Sequence, residues 1–164
     1  MTGAFYQAVA ILILGILSSG WLAGCATPAR KLDANVLWDS AEMRQPSSMR
    51  CVDRYVRLYD DYITITRIAR DSDLRGRAYL RLAEMDMALG EYLSAQQRLE
   101  HALRAELPHE YRRQALLMLG DVLERFIRNR DSAIVAYRQI LNEYPETPES
   151  ELARLRLKRL NHEN

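Results

Sequence analysis

The sequence predicts an all-α chain: a short solenoid of helix–turn–helix units with capping helices, placed behind an N-terminal export segment. Three observations carry that expectation. From Val52 onward apolar residues recur at helical spacing, at Val52, Tyr55, Val56, Tyr59, Tyr62, Ile63 and Thr66. Two later segments, residues 79–108 and 116–145, repeat one pattern of large and small side chains in register. Finally, no charged side chain precedes Arg30, although 27% of the chain is charged.

The uncharged start, ILILGILSSGWLAGC at residues 11–25, admits three readings: a membrane-spanning helix, a secretory signal or a buried core helix. Its dense apolar block covers residues 8–17, and Ser18, Ser19 and Gly20 then dilute it. A block of ~7–15 residues suits the hydrophobic region of a signal peptide, whereas a spanning helix takes ~20. The tetrad Leu22-Ala23-Gly24-Cys25 resembles a bacterial lipobox, at which a peptidase cuts before the cysteine and the thiol carries a diacylglycerol. The leading MTGAFYQ holds no Lys or Arg, which keeps an uncleaved signal anchor as the alternative. The resemblance implies a cleaved lipoprotein signal peptide at 1–24 and lipidation of Cys25. Three acyl chains anchor firmly, since each buried methylene adds ~0.8 kcal/mol. It also implies the outer membrane: an Asp after the cysteine favours inner-membrane retention in enteric-type bacteria, and Ala26 stands there.

The remainder has the length of one domain. A net charge of +1 points to neither nucleic acid nor an anionic surface. Only Lys31 and Lys158 are lysines; an arginine bias of this kind also follows from a GC-rich genome. With Cys25 acylated, Cys51 has no disulfide partner, and it reads as a buried structural thiol, with a reactive thiol as the minority reading.

Residues 25–49 read as a lipidated tether with a short helix over 36–43, ending before Pro46, and RQPSSMR reads as a loop. Residues 50–164 read as the helical domain. A helix covers 52–69. Asp71 or Asp73 caps the next, which begins near Leu74. At the end of the chain Thr147 is the expected N-cap and Pro148 the first helical residue, with acids in the first turn and Lys158 and Arg159 in the last. The apolar residues of this capping helix, 148–161, are Leu152, Ala153, Leu155, Leu157 and Leu160.

The repeated segments carry the pattern W-x₂-L-G-x₂-Y, A-x₃-F, P of the ~34-residue tetratricopeptide unit. The first gives Tyr79, Leu82, Ala83 and Asp86, then Ala95, Leu99 and Ala102, then Pro108. The second gives Leu116, Leu119, Gly120 and Leu123, then Ala133 and Tyr137, then Pro145. Small Ala83, Gly120, Ala95 and Ala133 let the two helices of a unit approach. Leu82, Leu99, Leu119 and Tyr137 fill the space between them. Asp86 departs from the pattern, since a bulky residue is usual there, and the Ala83-to-Gly120 spacing implies longer turns. The chain thus resembles tetratricopeptide-repeat proteins over about half its length, with repeats at about 76–108 and 113–145. The stretch AYRQILNEYPETPESELA looks like the tetratricopeptide lipoproteins of the bacterial envelope, which include outer-membrane assembly factors, pilus-secretin pilotins and adaptors of peptidoglycan enzymes.

No catalytic motif stands out: there is no G-x-S-x-G, H-E-x-x-H or P-loop, and no cofactor is expected. His101, His109 and His162 read as solvated helix-end residues, because a metal site needs three or four convergent ligands. The resemblance implies that the first helix of each unit lines a concave binding face. On it would lie Arg77, Arg81 and Glu84 of the first repeat and Gln114, Leu117, Asp121 and Glu124 of the second. Arg70, Arg77 and Arg81 form a basic cluster suited to a carboxylate or acidic peptide; the plainer reading is a solvated face with Arg81 paired to Glu84. The family's carboxylate clamp places Lys and Asn where this chain has Leu80, Glu84, Leu117 and Asp121, so capture of that kind is not expected. Tyr92, Tyr111 and Phe126 are candidate anchors. The resemblance implies a non-enzymatic, membrane-anchored scaffold for envelope protein partners. The alternatives are a module binding peptidoglycan or another envelope polymer, and an enzyme with Cys51 as its nucleophile.

Overall fold

A computed structural model describes residues 32–44 and 52–162, which lie within one compact unit, Leu32–Asn164. Cys25, Cys51 and residues 1–24, for which an export role was expected, lie outside the described residues. Among the described residues seven α-helices follow in order: α1 (Ala34–Arg44), α2 (Val52–Ile68), α3 (Ser72–Leu89), α4 (Tyr92–Leu103), α5 (His109–Val122), α6 (Arg130–Glu143) and α7 (Pro148–His162). No strand occurs among the described residues. No described helix is long and apolar enough to cross a membrane.

The local chemistry sets the helix ends. Asp71 accepts from the Asp73 amide at 3.0 Å and caps α3. Gly90 ends α3 in the left-handed region at φ 80°. Asn129 accepts from the Ser132 amide at 3.1 Å and caps α6. Thr147 starts α7: its carbonyl accepts from the amides of Ser150 and Glu151, and Pro148 is the first helical residue. α5 ends in a wide five-residue turn, Leu123–Ile127, after which Arg128 stands at φ 61°.

Each helix packs on its neighbours in sequence, and each group of buried residues is shared by three successive helices. The first joins Trp38 and Ala41 of α1, Leu58, Tyr62 and Ile65 of α2, and Leu74, Ala78 and Leu82 of α3. The second joins Leu80 and Ala83 with Leu99 and Ala102 of α4 and with Ala115 and Val122 of α5. The third joins Leu116 with Ala133, Tyr137 and Ile140 of α6 and with Ala153 and Leu160 of α7. This is the neighbour-on-neighbour packing of a solenoid, with α1–α2, α3–α4 and α5–α6 as helix pairs and α7 closing the array.

Several expectations need adjustment. The short helix expected over 36–43 is α1, which begins at Ala34, and its Trp38 and Ala41 belong to the first core. In α2 the buried seam is Leu58, Tyr62 and Ile65, while Val52 and Val56 are exposed. The seam is rotated because Tyr55 and Tyr59 lean across α3 and donate their hydroxyls to the Met85 carbonyl (2.7 Å) and to Asp86 (2.9 Å). In α7 Ala153, Leu157 and Leu160 face inward at the i, i+4, i+7 spacing, whereas Leu152 and Leu155 are exposed at 48% and 64%. Leu119 is only half-buried. The extra length between Ala83 and Gly120 includes the connector 104–108, which carries Leu107 into the core beside Gly76.

Candidate functional site

Asp86, the departure from the repeat pattern, is a buried anchor. It is 2% exposed, accepts from Tyr59 and lies 3.6 Å from Arg98. Burial pushes its carboxyl above the ordinary value, against the pull of Tyr59 and Arg98.

The odd-numbered helices share one face, tied across by polar side chains. Glu42 of α1 takes a two-pronged contact from Arg81 of α3, with Nε at 3.1 Å and Nη2 at 3.0 Å. The same carboxylate accepts from the buried Tyr62 hydroxyl at 2.6 Å. The remaining prong of Arg81 holds Glu84 at 3.0 Å, and Gln114 of α5 donates to Glu84 at 2.7 Å. Arg77 pairs with Asp73 at 3.1 Å; its guanidinium lies 5.0 Å from the Trp38 ring and 5.9 Å from the Tyr111 ring. Arg113 reaches Glu149 of α7 at 3.2 Å. Asp121 pairs with Arg156 at 3.3 Å, and Glu124 with Arg159. The Tyr137 hydroxyl reaches both carboxylates, at 2.9 and 2.8 Å. Burial first, and then these carboxylates, hold that phenol well above its ordinary value.

The residues singled out from sequence are therefore neighbours. Arg81, Glu84 and Gln114 form one chain of contacts that begins at Glu42, and Arg77 forms a second group with Asp73, Trp38 and Tyr111. Asp121 and Glu124 form another with α7, and Leu117 packs against the third core. The basic cluster takes a different form from the one expected: Arg81 is filled by Glu84 and also by Glu42, a partner that neither reading named. Tyr111 lies on this face, against Arg77. Tyr92 and Phe126 stand elsewhere, stacked on each other at 3.8 Å.

Glu42 and Trp38 escaped the sequence reading because they lie 39 residues from their partners on α3. No periodic signal reports such a pairing. His101 stacks on Tyr79 and His109 meets Tyr144, so the two histidines do not converge. Among the described residues no group of three His, Cys, Asp or Glu side chains is placed to hold a metal ion.

Residues 114–147 match the family model of the tetratricopeptide repeat. That stretch of the chain is thus similar to one tetratricopeptide repeat. The match spans most of α5, the wide turn, α6 and the start of the next connection, which is one helix pair of the array. A comparison with curated proteins gives no match. Tetratricopeptide repeats generally serve as scaffolds for protein partners, and the seven described helices pack in a tetratricopeptide-like arrangement.

Proposed function

We propose that the chain is a non-enzymatic scaffold that holds a protein partner of the cell envelope on the face shared by α1, α3, α5 and α7. A lipid on Cys25 anchors it to the periplasmic side of the outer membrane, residues 1–24 are removed, and residues 25–31 are the tether. The lipobox-like Leu22-Ala23-Gly24-Cys25 and the absence of charge before Arg30 support the anchor.

One observation carries the choice of face. Trp38, Arg77 and Tyr111, from three alternate helices, stand side by side with the guanidinium between the rings. Such a row is ordered before any partner arrives, which lowers the entropy cost of binding. Aromatic and arginine side chains also supply most interface anchors. A polymer-binding module would need free aromatic faces beside Arg77 and Arg81. Trp38 is instead buried beneath Arg77, so the half-buried Arg77 and Tyr111 are the parts of the row that a partner reaches.

In-cell crosslinking of an epitope-tagged chain, with mass spectrometry of the captured proteins and of the mature N-terminus, tests this. One defined envelope protein and an acylated Cys25 are expected. Arg77→Ala with Tyr111→Ala should abolish that capture while the chain stays folded by circular dichroism. An uncleaved Met1 would remove the anchor; capture indifferent to the paired substitution would remove the face.

A further inference from the structure

The geometry points to a contact between two copies of this chain, made by the outer stripe of α7, with the two last helices antiparallel about a two-fold axis. α7 closes the array against α6 and α5. Ser150, Ala153 and Leu160 are buried on its inner side. Its outer side is exposed among the described residues, at Pro148, Glu151, Leu152, Leu155, Lys158 and Arg159.

A solenoid stays soluble when its terminal helix turns a polar face outward, and α7 breaks that rule. Leu152 is 48% exposed and Leu155 64%. They stand three residues apart, which makes them neighbours on a helix surface. Pro148 and Arg159 continue the line by four residues at either end. The stripe 148, 152, 155, 159 thus has the 4-3-4 spacing of a seam between two helices. Arg159 sends its head back to Glu124, so it offers the seam its aliphatic stem.

The charges beside the stripe select the occupant. Glu151 and Lys158 flank it on one edge, seven residues apart and so on one side of the helix. Glu151 meets Arg154 at 2.5 Å through one oxygen, and an exposed pair of that kind is worth little. With a two-fold axis between Leu152 and Leu155, Leu152 of each copy meets Leu155 of the other. Pro148 then meets the Arg159 stem, and Glu151 of each copy comes within one turn of Lys158 of the other. The stripe is therefore complementary to itself, as an isologous interface requires. The antiparallel sense also sets the acidic first turn, with Glu149 and Glu151, against the basic last turn of the second copy, with Arg159 and His162. A parallel pair would bring Glu151 level with Glu151, and an anionic lipid surface would face the same carboxylate.

α7 has 15 residues and is about 22 Å long. Two such helices bury less than the roughly 1,200 Å² of a standard interface. Pairing is therefore reversible, with a Kd on the order of 10 µM. The stripe shares no residue with the Trp38–Arg77–Tyr111 row, so this pairing and the partner site hold or fail independently.

Sedimentation velocity of the full chain in a non-ionic detergent, from roughly 1 to 100 µM, brackets that Kd. A monomer–dimer equilibrium is expected. Leu155→Glu should weaken it at least tenfold with the circular dichroism unchanged. Leu93→Glu, on α4 and 68% exposed, should leave it as it is. Glu151→Lys and Lys158→Glu should each weaken pairing about fivefold, the worth of two exposed ion pairs. Together in one chain they should restore it, because the exchanged charges still meet across the axis. A chain that stays monomeric, a dimer indifferent to Leu155→Glu, or a charge exchange that restores nothing would overturn the proposal. A monomer whose Leu155→Glu variant loses an in-cell crosslink to a different protein would give the stripe to that protein instead.

Discussion

The ring of Tyr137 lies directly over Gly120. A Cβ on Gly120 would stand 2.8 Å from Cδ1 and Cζ of that ring, and nearer still to Cε1. Gly120 is thus the point of closest approach between α5 and α6, and Tyr137, fully buried, is the side chain that uses the space.

Gly120→Ala should therefore destabilise the chain. The added methyl overpacks a rigid ring, at a cost of about 2 kcal/mol after the gain in helix propensity of about 1 kcal/mol. Urea unfolding measures it. In a double-mutant cycle with Tyr137→Leu the penalty should shrink, because the clash partner is gone.

Glu42 holds three helices through one carboxylate. Glu42→Ala leaves the buried Tyr62 hydroxyl without its acceptor and takes the paired contact from Arg81. The expected loss is about 2 kcal/mol. Amide exchange should quicken in α1 first, since Trp38 and Ala41 are its main remaining attachments. Glu42→Gln keeps an acceptor and should cost less.

Asp86 has a defined sign of pH dependence. Its folded-state value is raised, so the fold favours its protonated form. Its contribution to stability is greatest below the unfolded value of 3.8, declines as pH rises through the folded value, and is constant above. Asp86→Asn removes that decline. The stability of the variant minus that of the parent should therefore increase as pH rises from about 4 and then level off. A flat difference between pH 4 and 7 in chemical denaturation would contradict this.

Glu143 runs the opposite way. The guanidinium of Arg112, 2.9 Å away, lowers its carboxyl below the ordinary value of 4.5. The pair's contribution is present above pH 4.5 and is lost as pH falls through the lowered value. In Glu143→Gln that part of the acid dependence should disappear.

Arg128 offers a gain. Arg128→Gly relieves a left-handed backbone that costs roughly 1–2 kcal/mol for a residue with a Cβ, less the extra freedom of glycine in the unfolded chain. The midpoint of thermal unfolding should rise, for a net of about 0.5 kcal/mol. Arg128→Val should lower it.

Much of the helical architecture was legible because it is written in local periodicity. The spacing of Leu82, Ala83, Ala95 and Leu99, and of Gly120, Ala133 and Tyr137, reports small and large side chains meeting between adjacent helices. These pairs recur in register. The caps at Asp71 and Thr147 were legible for the same reason, since a cap is satisfied within three residues. The buried seam of α2 was misread where tyrosine is concerned: Tyr55 and Tyr59 are apolar along the ring and polar at the tip, and only their acceptors on α3 decide which way they lean.

The sequence by itself determined a helical repeat array, the partners within each helix pair and a run without charged residues before Arg30. All of these depend on residues near one another in the chain. The tertiary structure alone decided that Glu42 fills Arg81 and that Arg77 lies between Trp38 and Tyr111. Those contacts join residues about 30 or more positions apart, and stacking every second helix is what brings them together. Polar side chains on that shared face carry no period of their own, so their pairing is set by the rotation of each helix in the array.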